Sequence, residues 1–208
     1  AWVALWREFG KLPFEELFAP AVEYAQAGFP VSPVVARQWR EQVPRLVQQP
    51  GFAEAFLRGG KPPQAGDIFR FPEQAATLRE IAATAGESFY RGALAEKIAG
   101  ASAAAGGALN ADDLATHHAD WVEPITVDYR NHRIHEIPPN GQGIAALIAL
   151  GILEHFPLGN LEPDSPDSLH LQIEAMKLAF ADTYRYVADL AMMKVGPAQL
   201  LDRSYLAS

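Results

Sequence analysis

Most of this 208-residue chain repeats its apolar residues at helical spacing, and one interval, Trp121 to Ile137, does not. Within it Val122, Ile125, Thr126 and Val127 are β-branched, and Ile134 and Ile137 follow after Arg130-Asn131. Two runs joined by two turn residues predict an antiparallel hairpin, with Asn131 supplying the positive φ that such a turn needs. The second run does not alternate cleanly and is the weaker strand. One hairpin cannot make a sheet protein by itself. The fold class is therefore α+β, mostly helical: helices over 1–118, the hairpin over 121–137, helices again over 143–208.

Proline and oxygen side chains mark the helices. Ser32-Pro33 and Ser165-Pro166 each place a capping hydroxyl before a proline at the first helical position. Pro13 and Pro72-Glu73 open two further helices, closed by Gly28 and Gly86; Pro20 and Pro44 fall inside helical pattern and predict kinks or stops. Gly59 to Gly66, with Pro62-Pro63, is a loop. A helix from about Ala93 ends at Gly106-Gly107, and Asn110 caps the acidic turn that follows. The helix after Ser165 is the longest, with Leu169, Ile173, Met176 and Phe180 forming one apolar face. Trp2/Trp6 and Phe14/Phe18 are read as core pairs. No internal repeat is visible, and 1–208 reads as one partial domain.

Charge and residue usage narrow the function. Seventeen basic against 25 acidic residues leave a net charge of −8, which argues against nucleic acid and anionic membrane surfaces as partners. The apolar run Ile144 to Leu153 is too short for a bilayer, which takes about 20 residues. The absence of Cys removes disulfides, thiolate zinc sites and Cys nucleophiles. It leaves the compartment open between cytosol and periplasm.

Gly141-x-Gly143-x-x-Ala146 fits a dinucleotide-binding pattern, but the preceding strand belongs to a hairpin and no acidic residue follows a second parallel strand. The alternatives are a glycine turn for close packing, or a helix start whose N–H groups meet a carboxylate. The six His do not converge on a metal: His117-His118 diverge on a helix, His132 and His135 fall on opposite strand faces, and His155 and His170 stand apart. Ser88 lacks the G-x-S-x-G elbow. Asp112-Asp113, Asp164 and Asp167 suit helix starts. No catalytic constellation emerges, and neither a metal nor a cofactor is called for.

Six stretches, in order, carry a resemblance. They are Phe9 to Val22 (FGKLPFEELFAPAV), Gly28 to Ser32 (GFPVS), Glu87 to Gly92 (ESFYRG), Gly106 to Leu114 (GGALNADDL), Trp121 to Asn131 (WVEPITVDYRN) and Glu174 to Asp182 (EAMKLAFAD). Together they resemble the large-subunit region of the gamma-glutamyltransferase (gamma-glutamyltranspeptidase) family across almost the whole chain. Many members have Pro-Pro-Pro-Ser-Ser-Gly-Gly where this chain has Pro138-Pro-Asn-Gly-Gln-Gly-Ile144, a departure that resembles a bacterial branch.

The resemblance implies a precursor with the αββα sandwich of N-terminal nucleophile hydrolases, of which this chain is the C-terminal part of the large subunit. Such a precursor cleaves itself, exposing a Thr at the start of the small subunit. That Thr forms a γ-glutamyl acyl-enzyme and passes the acyl group to water or an amino acid. By the same resemblance the Thr is expected downstream of Ser208 and the carboxylate-gripping Arg upstream of Ala1. The chain alone then has no catalytic residue and is expected to be inactive. Implied partners are the small subunit and a γ-glutamyl small molecule, with self-association if the hairpin is left uncovered. The implied location is periplasmic or secreted, with cytoplasm also compatible. Asn140, Gly141 and Gln142 are the candidate substrate-binding residues. Two other readings are an acylase acting on a different amide, and a non-enzymatic helical binding module.

Overall fold

Helices alternate with short connections along residues 1–208, all of which the computed structural model describes. They group into two units, 1–119 and 120–208, where the sequence reading treats 1–208 as one partial domain. The boundary falls where helical spacing gives way to the hairpin.

In the first unit α1 (Trp2–Phe9) leads to α2 (Phe14–Ala27), which runs through Pro20 without a break. Gly28 ends α2 at φ 94°, and a Cβ there would lie 2.6 Å from Ile68 Cγ2, so both backbone and space require glycine. The chain then forms β1 (Phe29–Pro30), which pairs antiparallel with β2 (Ile68–Phe69). Strands of two residues are too short to show a period, and sequence reading passes over them. Ser32 Oγ accepts from Val35 N at 3.2 Å and starts α3 (Pro33–Leu46), which outlasts Pro44 by two residues. A short α4 (Phe52–Phe56) precedes α5 (Pro72–Ala83), α6 (Glu87–Arg91), α7 (Ala93–Ala104) and α8 (Ala111–Thr116). Asn110 and Asp113 cap α8 reciprocally.

Two small apolar clusters hold this unit. Phe14 and Phe18 on α2 pack with Ala82 on α5, and Trp6 closes over Phe14 at a ring separation of 5.1 Å. Val31, Ala36 and Phe69 form the second with Trp39, Phe56 and Phe71. Trp2 does not join the core. It is 71% exposed, because α1 has eight residues and meets Phe14 through Trp6, one turn further along.

In the second unit β3 (Ile125–Tyr129) and β4 (His132–Glu136) form the hairpin, in the register Ile125↔Glu136 to Tyr129↔His132. It is narrower than the expected 121–137: Pro124, which has no N–H to give, directly precedes the first ladder residue, and Trp121 and Val122 stay outside and exposed. Ile137 also lies beyond the ladder, 72% exposed. The positive φ of the turn sits on Arg130 (54°), not on Asn131. Arg130 is held there by its own N–H, which donates to Glu154 Oε2 at 2.8 Å, and by Nη2, which donates to the Phe156 carbonyl at 2.8 Å.

Helix α9 (Gly143–Leu153) packs on the hairpin and on α10 (Pro166–Tyr186), and α11 (Pro197–Leu200) and α12 (Arg203–Leu206) complete the cover. Ile144 and Ile148 are buried at the centre of this core, with Ala149 and Leu153 of the same helix and Ala175 and Ala179 of α10. Ser165 Oγ caps α10 by accepting from Ser168 N at 3.3 Å. The face of α10 that packs inward is Ser168, Ala175, Ala179 and Thr183. The expected apolar face does the opposite: Leu169, Ile173 and Met176 are exposed, and Phe180 is half-buried. Small side chains let α10 approach α9 closely, and the large ones are turned outward by that choice.

Candidate functional site

The candidate residues lie where β4 hands over to α9. Pro138 and Pro139 are buried and fix the path of the chain, so that Asn140, Gly141 and Gln142 stand exposed before the first turn of the helix. Gln142 takes the N-cap position, but its side chain makes no capping bond; its carbonyl instead accepts from Ala145 N at 3.0 Å. The amide heads of Asn140 and Gln142 face solvent.

A residue absent from the sequence reading joins them. A Cβ on Gly143 would overlap Glu136 Oε2 and lie 2.8 Å from Glu136 Cδ. The carboxylate of the last β4 residue therefore rests against the opening of α9, seven positions back along the chain. Negative charge is favoured there by the helix dipole. Of the alternatives for the glycine pattern, the contact seen is that of the packing turn: Gly143 leaves room for the protein's own Glu136 carboxylate. Its only sequence signal is a carboxylate before Pro138-Pro139 and Gly143 after it. The dinucleotide context is absent, since β4 is one arm of an antiparallel pair. Together these groups offer two amides, which can donate to an anion, beside one carboxylate, which can accept from a cation.

The remaining polar groups serve the fold. Thr77, Thr84, Thr116 and Thr183 each donate their hydroxyl to the carbonyl four residues earlier on their own helix. Ser88 is buried: its hydroxyl donates to Glu80 Oε1 and accepts from Leu94 N at 3.3 Å, and its own N–H donates to Thr84 Oγ1 at 3.2 Å. That arrangement locks α5, α6 and α7 together and leaves no free nucleophile. On the hairpin's outer face Arg133 grips Asp128 through two hydrogen bonds of 2.8 and 3.2 Å, which hold the Asp128 carboxyl below its usual range. His117 stacks on Tyr90 at 5.4 Å. No helix is long and apolar enough to cross a membrane.

Comparison with known proteins sets this geometry in context. Residues 1–208 match the family model described as Gamma-glutamyltranspeptidase. The chain is 34% identical over 205 residues to the Glutathione hydrolase-like YwrD proenzyme of Bacillus subtilis (strain 168), covering 99% of itself and 39% of that protein. It superposes on the crystal structure of cephalosporin acylase from Bacillus halodurans with a TM-score of 0.90 and 43% identity, again over 99% of itself and 39% of that chain. On Helicobacter pylori gamma-glutamyltranspeptidase the TM-score is 0.89 at 26% identity, covering 99% of this chain and 59% of that one. The chain thus spans well under half the length of the proenzyme and the acylase that it matches.

Proposed function

Because the chain belongs to the gamma-glutamyltranspeptidase family, we propose that it is the C-terminal part of the large subunit of a self-processing acyltransferase or hydrolase that takes γ-glutamyl amides. The observation that carries this reading is the end-to-end family match, in which no stretch of the 208 residues falls outside. In the parent enzyme a small subunit contributes a Thr at its N-terminus. The Thr hydroxyl attacks the amide carbon while its α-amine takes the proton. The C–N bond breaks, the amine leaves with that proton, and an ester remains. Water or an acceptor amine then attacks the ester and restores the Thr. The hairpin extends one sheet of an αββα sandwich, and helices such as α10 belong to its outer layers. Asn140, Gly141 and Gln142 lie on the substrate side, and their amides hydrogen-bond the donor.

A second reading, an acylase acting on a different amide, is favoured by one observation: identity is 43% to the cephalosporin acylase and 26% to the transpeptidase. The Asn-Gly-Gln-Gly loop, in place of Pro-Ser-Ser-Gly, is where the two substrate classes would be told apart. The test uses the full-length precursor. Conversion to two chains on a denaturing gel, followed by release of the amine from a γ-glutamyl anilide, is the expected result. Turnover of an acylated cephalosporin with none of the anilide selects the second reading. A precursor that stays intact and turns over neither amide overturns both. Residues 1–208 alone are expected to hydrolyse neither.

A further inference from the structure

Gly141 is a glycine that the fold does not need. Its φ lies outside the left-handed region, and a Cβ built on it meets no atom within 4 Å. Gly28 and Gly143 differ, because a Cβ at either runs into a neighbour. What the missing Cβ leaves open is the backbone nitrogen of residue 141, and the side chain just before it is a carboxamide. Asn140 is exposed, and its carboxamide bonds no other group. The Asn110 carboxamide, by contrast, accepts from Asp112 N at 2.8 Å and Asp113 N at 3.2 Å. The chain has three Asn residues besides Asn140, and each precedes a residue with a side chain: Ala111, His132 and Leu161. His132 lies in the β4 ladder, and Leu161 N donates to the Leu158 carbonyl at 3.1 Å. Asn is a thermolabile residue. Closure of its side chain onto the next backbone nitrogen is fastest where no Cβ shields that nitrogen or restricts φ and ψ.

We propose that Asn140 is a site of spontaneous covalent modification, where the side chain loses ammonia and the residue becomes aspartate or isoaspartate. Gly141 N gives its proton to solvent and bonds to Asn140 Cγ. The Cγ–Nδ2 bond then breaks, and Nδ2 leaves as ammonia, taking a proton from water. A five-membered succinimide remains, and water adds to one of its two carbonyl carbons. Cleavage of the new N–Cγ bond leaves aspartate. Cleavage of the original peptide bond leaves isoaspartate, whose backbone runs through the side chain and is one methylene longer. Either product puts a carboxylate where an amide donor stood. The loop then keeps one amide, on Gln142, and gains a second carboxylate on the path that starts at Glu136. On the reading that this loop faces the donor, an anionic γ-glutamyl group binds the aged loop more weakly, because like charges repel.

The test keeps the full-length enzyme folded in mildly alkaline buffer for days and digests samples at intervals. Peptide masses and labelling by an isoaspartyl methyltransferase read conversion at all four Asn residues in one sample. Asn140 is expected to convert at least about tenfold faster than Asn110, Asn131 or Asn160. Gly141→Ala, whose methyl meets open space, is expected to slow conversion at Asn140 at least about tenfold with Tm unchanged. Conversion at Asn140 no faster than at the other three, or equally fast in Gly141→Ala, overturns the proposal. The comparison among the four Asn residues needs no variant, so it decides the matter if the alanine protein misfolds. Mass and labelling also need no turnover, and they are read even if the precursor is never cleaved and the two-chain reading fails. The effect on binding is measured apart: KM of the aged enzyme for a γ-glutamyl anilide is expected to rise at least about threefold. Conversion with KM unchanged supports the modification and refutes the placement of the loop on the substrate side.

Discussion

Adding one methyl group at Gly151 should reverse its effect on stability depending on what occupies position 206. Gly151 is buried near the C-terminal end of α9, where a Cβ would overlap Leu206 Cδ1 and lie 3.5 Å from both Leu206 Cγ and Val127 Cγ2. Replacing glycine by alanine inside a helix gains about 1 kcal/mol from backbone propensity. Forcing a methyl into a filled core loses about 1–3 kcal/mol. Leu206 is 7% exposed and belongs to the main cluster, so it cannot swing into solvent without giving up its own burial. The second term wins, and Gly151→Ala should destabilise by up to about 2 kcal/mol. Leu206→Ala alone should cost about 2–5 kcal/mol, the range for a buried leucine, and it empties the space that Leu206 Cδ1 fills beside Gly151. In that background the methyl meets free space, and Gly151→Ala should now stabilise by about 1 kcal/mol. Urea denaturation of the four proteins, followed by circular dichroism, measures the cycle. If Gly151→Ala raises the midpoint in the Leu206 protein as much as in the Leu206→Ala protein, α9 does not meet α12 as described, and the reasoning fails.

Three further outcomes follow from the structure. Ser88→Ala removes a buried hydroxyl that serves both Glu80 and the Leu94 N–H, and should lower stability by about 1–3 kcal/mol in denaturant titration, with Ser88→Thr unable to restore it beside the closely packed Gly92. Gln142→Ala in the full-length processed enzyme should raise KM for a γ-glutamyl donor while Tm barely moves, since the side chain is exposed and caps nothing; unchanged kinetics with several donors would make the loop purely structural. The Asp202 carboxyl, bonded by the Ser204 hydroxyl and then by the Tyr205 and Ser204 N–H groups, is held below its ordinary value. Its stabilising contribution is thus complete above the usual carboxylate range and lost as pH falls through the lower folded value, which carboxyl NMR titration against Asp202→Asn would show.

What the sequence alone determined about this protein is what adjacent residues settle between themselves. The caps at Ser32, Asn110 and Ser165 were legible because each oxygen bonds an N–H two or three positions on, and the proline that follows two of them has the φ a helix needs. The hairpin was legible for the same reason, as were its two-residue turn and the strand-to-helix junction at Asn140 to Gln142. Tertiary structure decided the rest, by contacts between residues that no local pattern pairs. Arg130 takes the left-handed turn position because Glu154 and Phe156, more than twenty residues later, bind its N–H and guanidinium. Glu136 joins the candidate site because the chain doubles back through Pro138-Pro139 and Gly143 leaves room for its carboxylate. On α10 two faces had the spacing to be buried, one large and apolar, one small. The helix turned its small face inward because only side chains of that size let α9 come so close, a choice made by the neighbour and not by hydrophobicity.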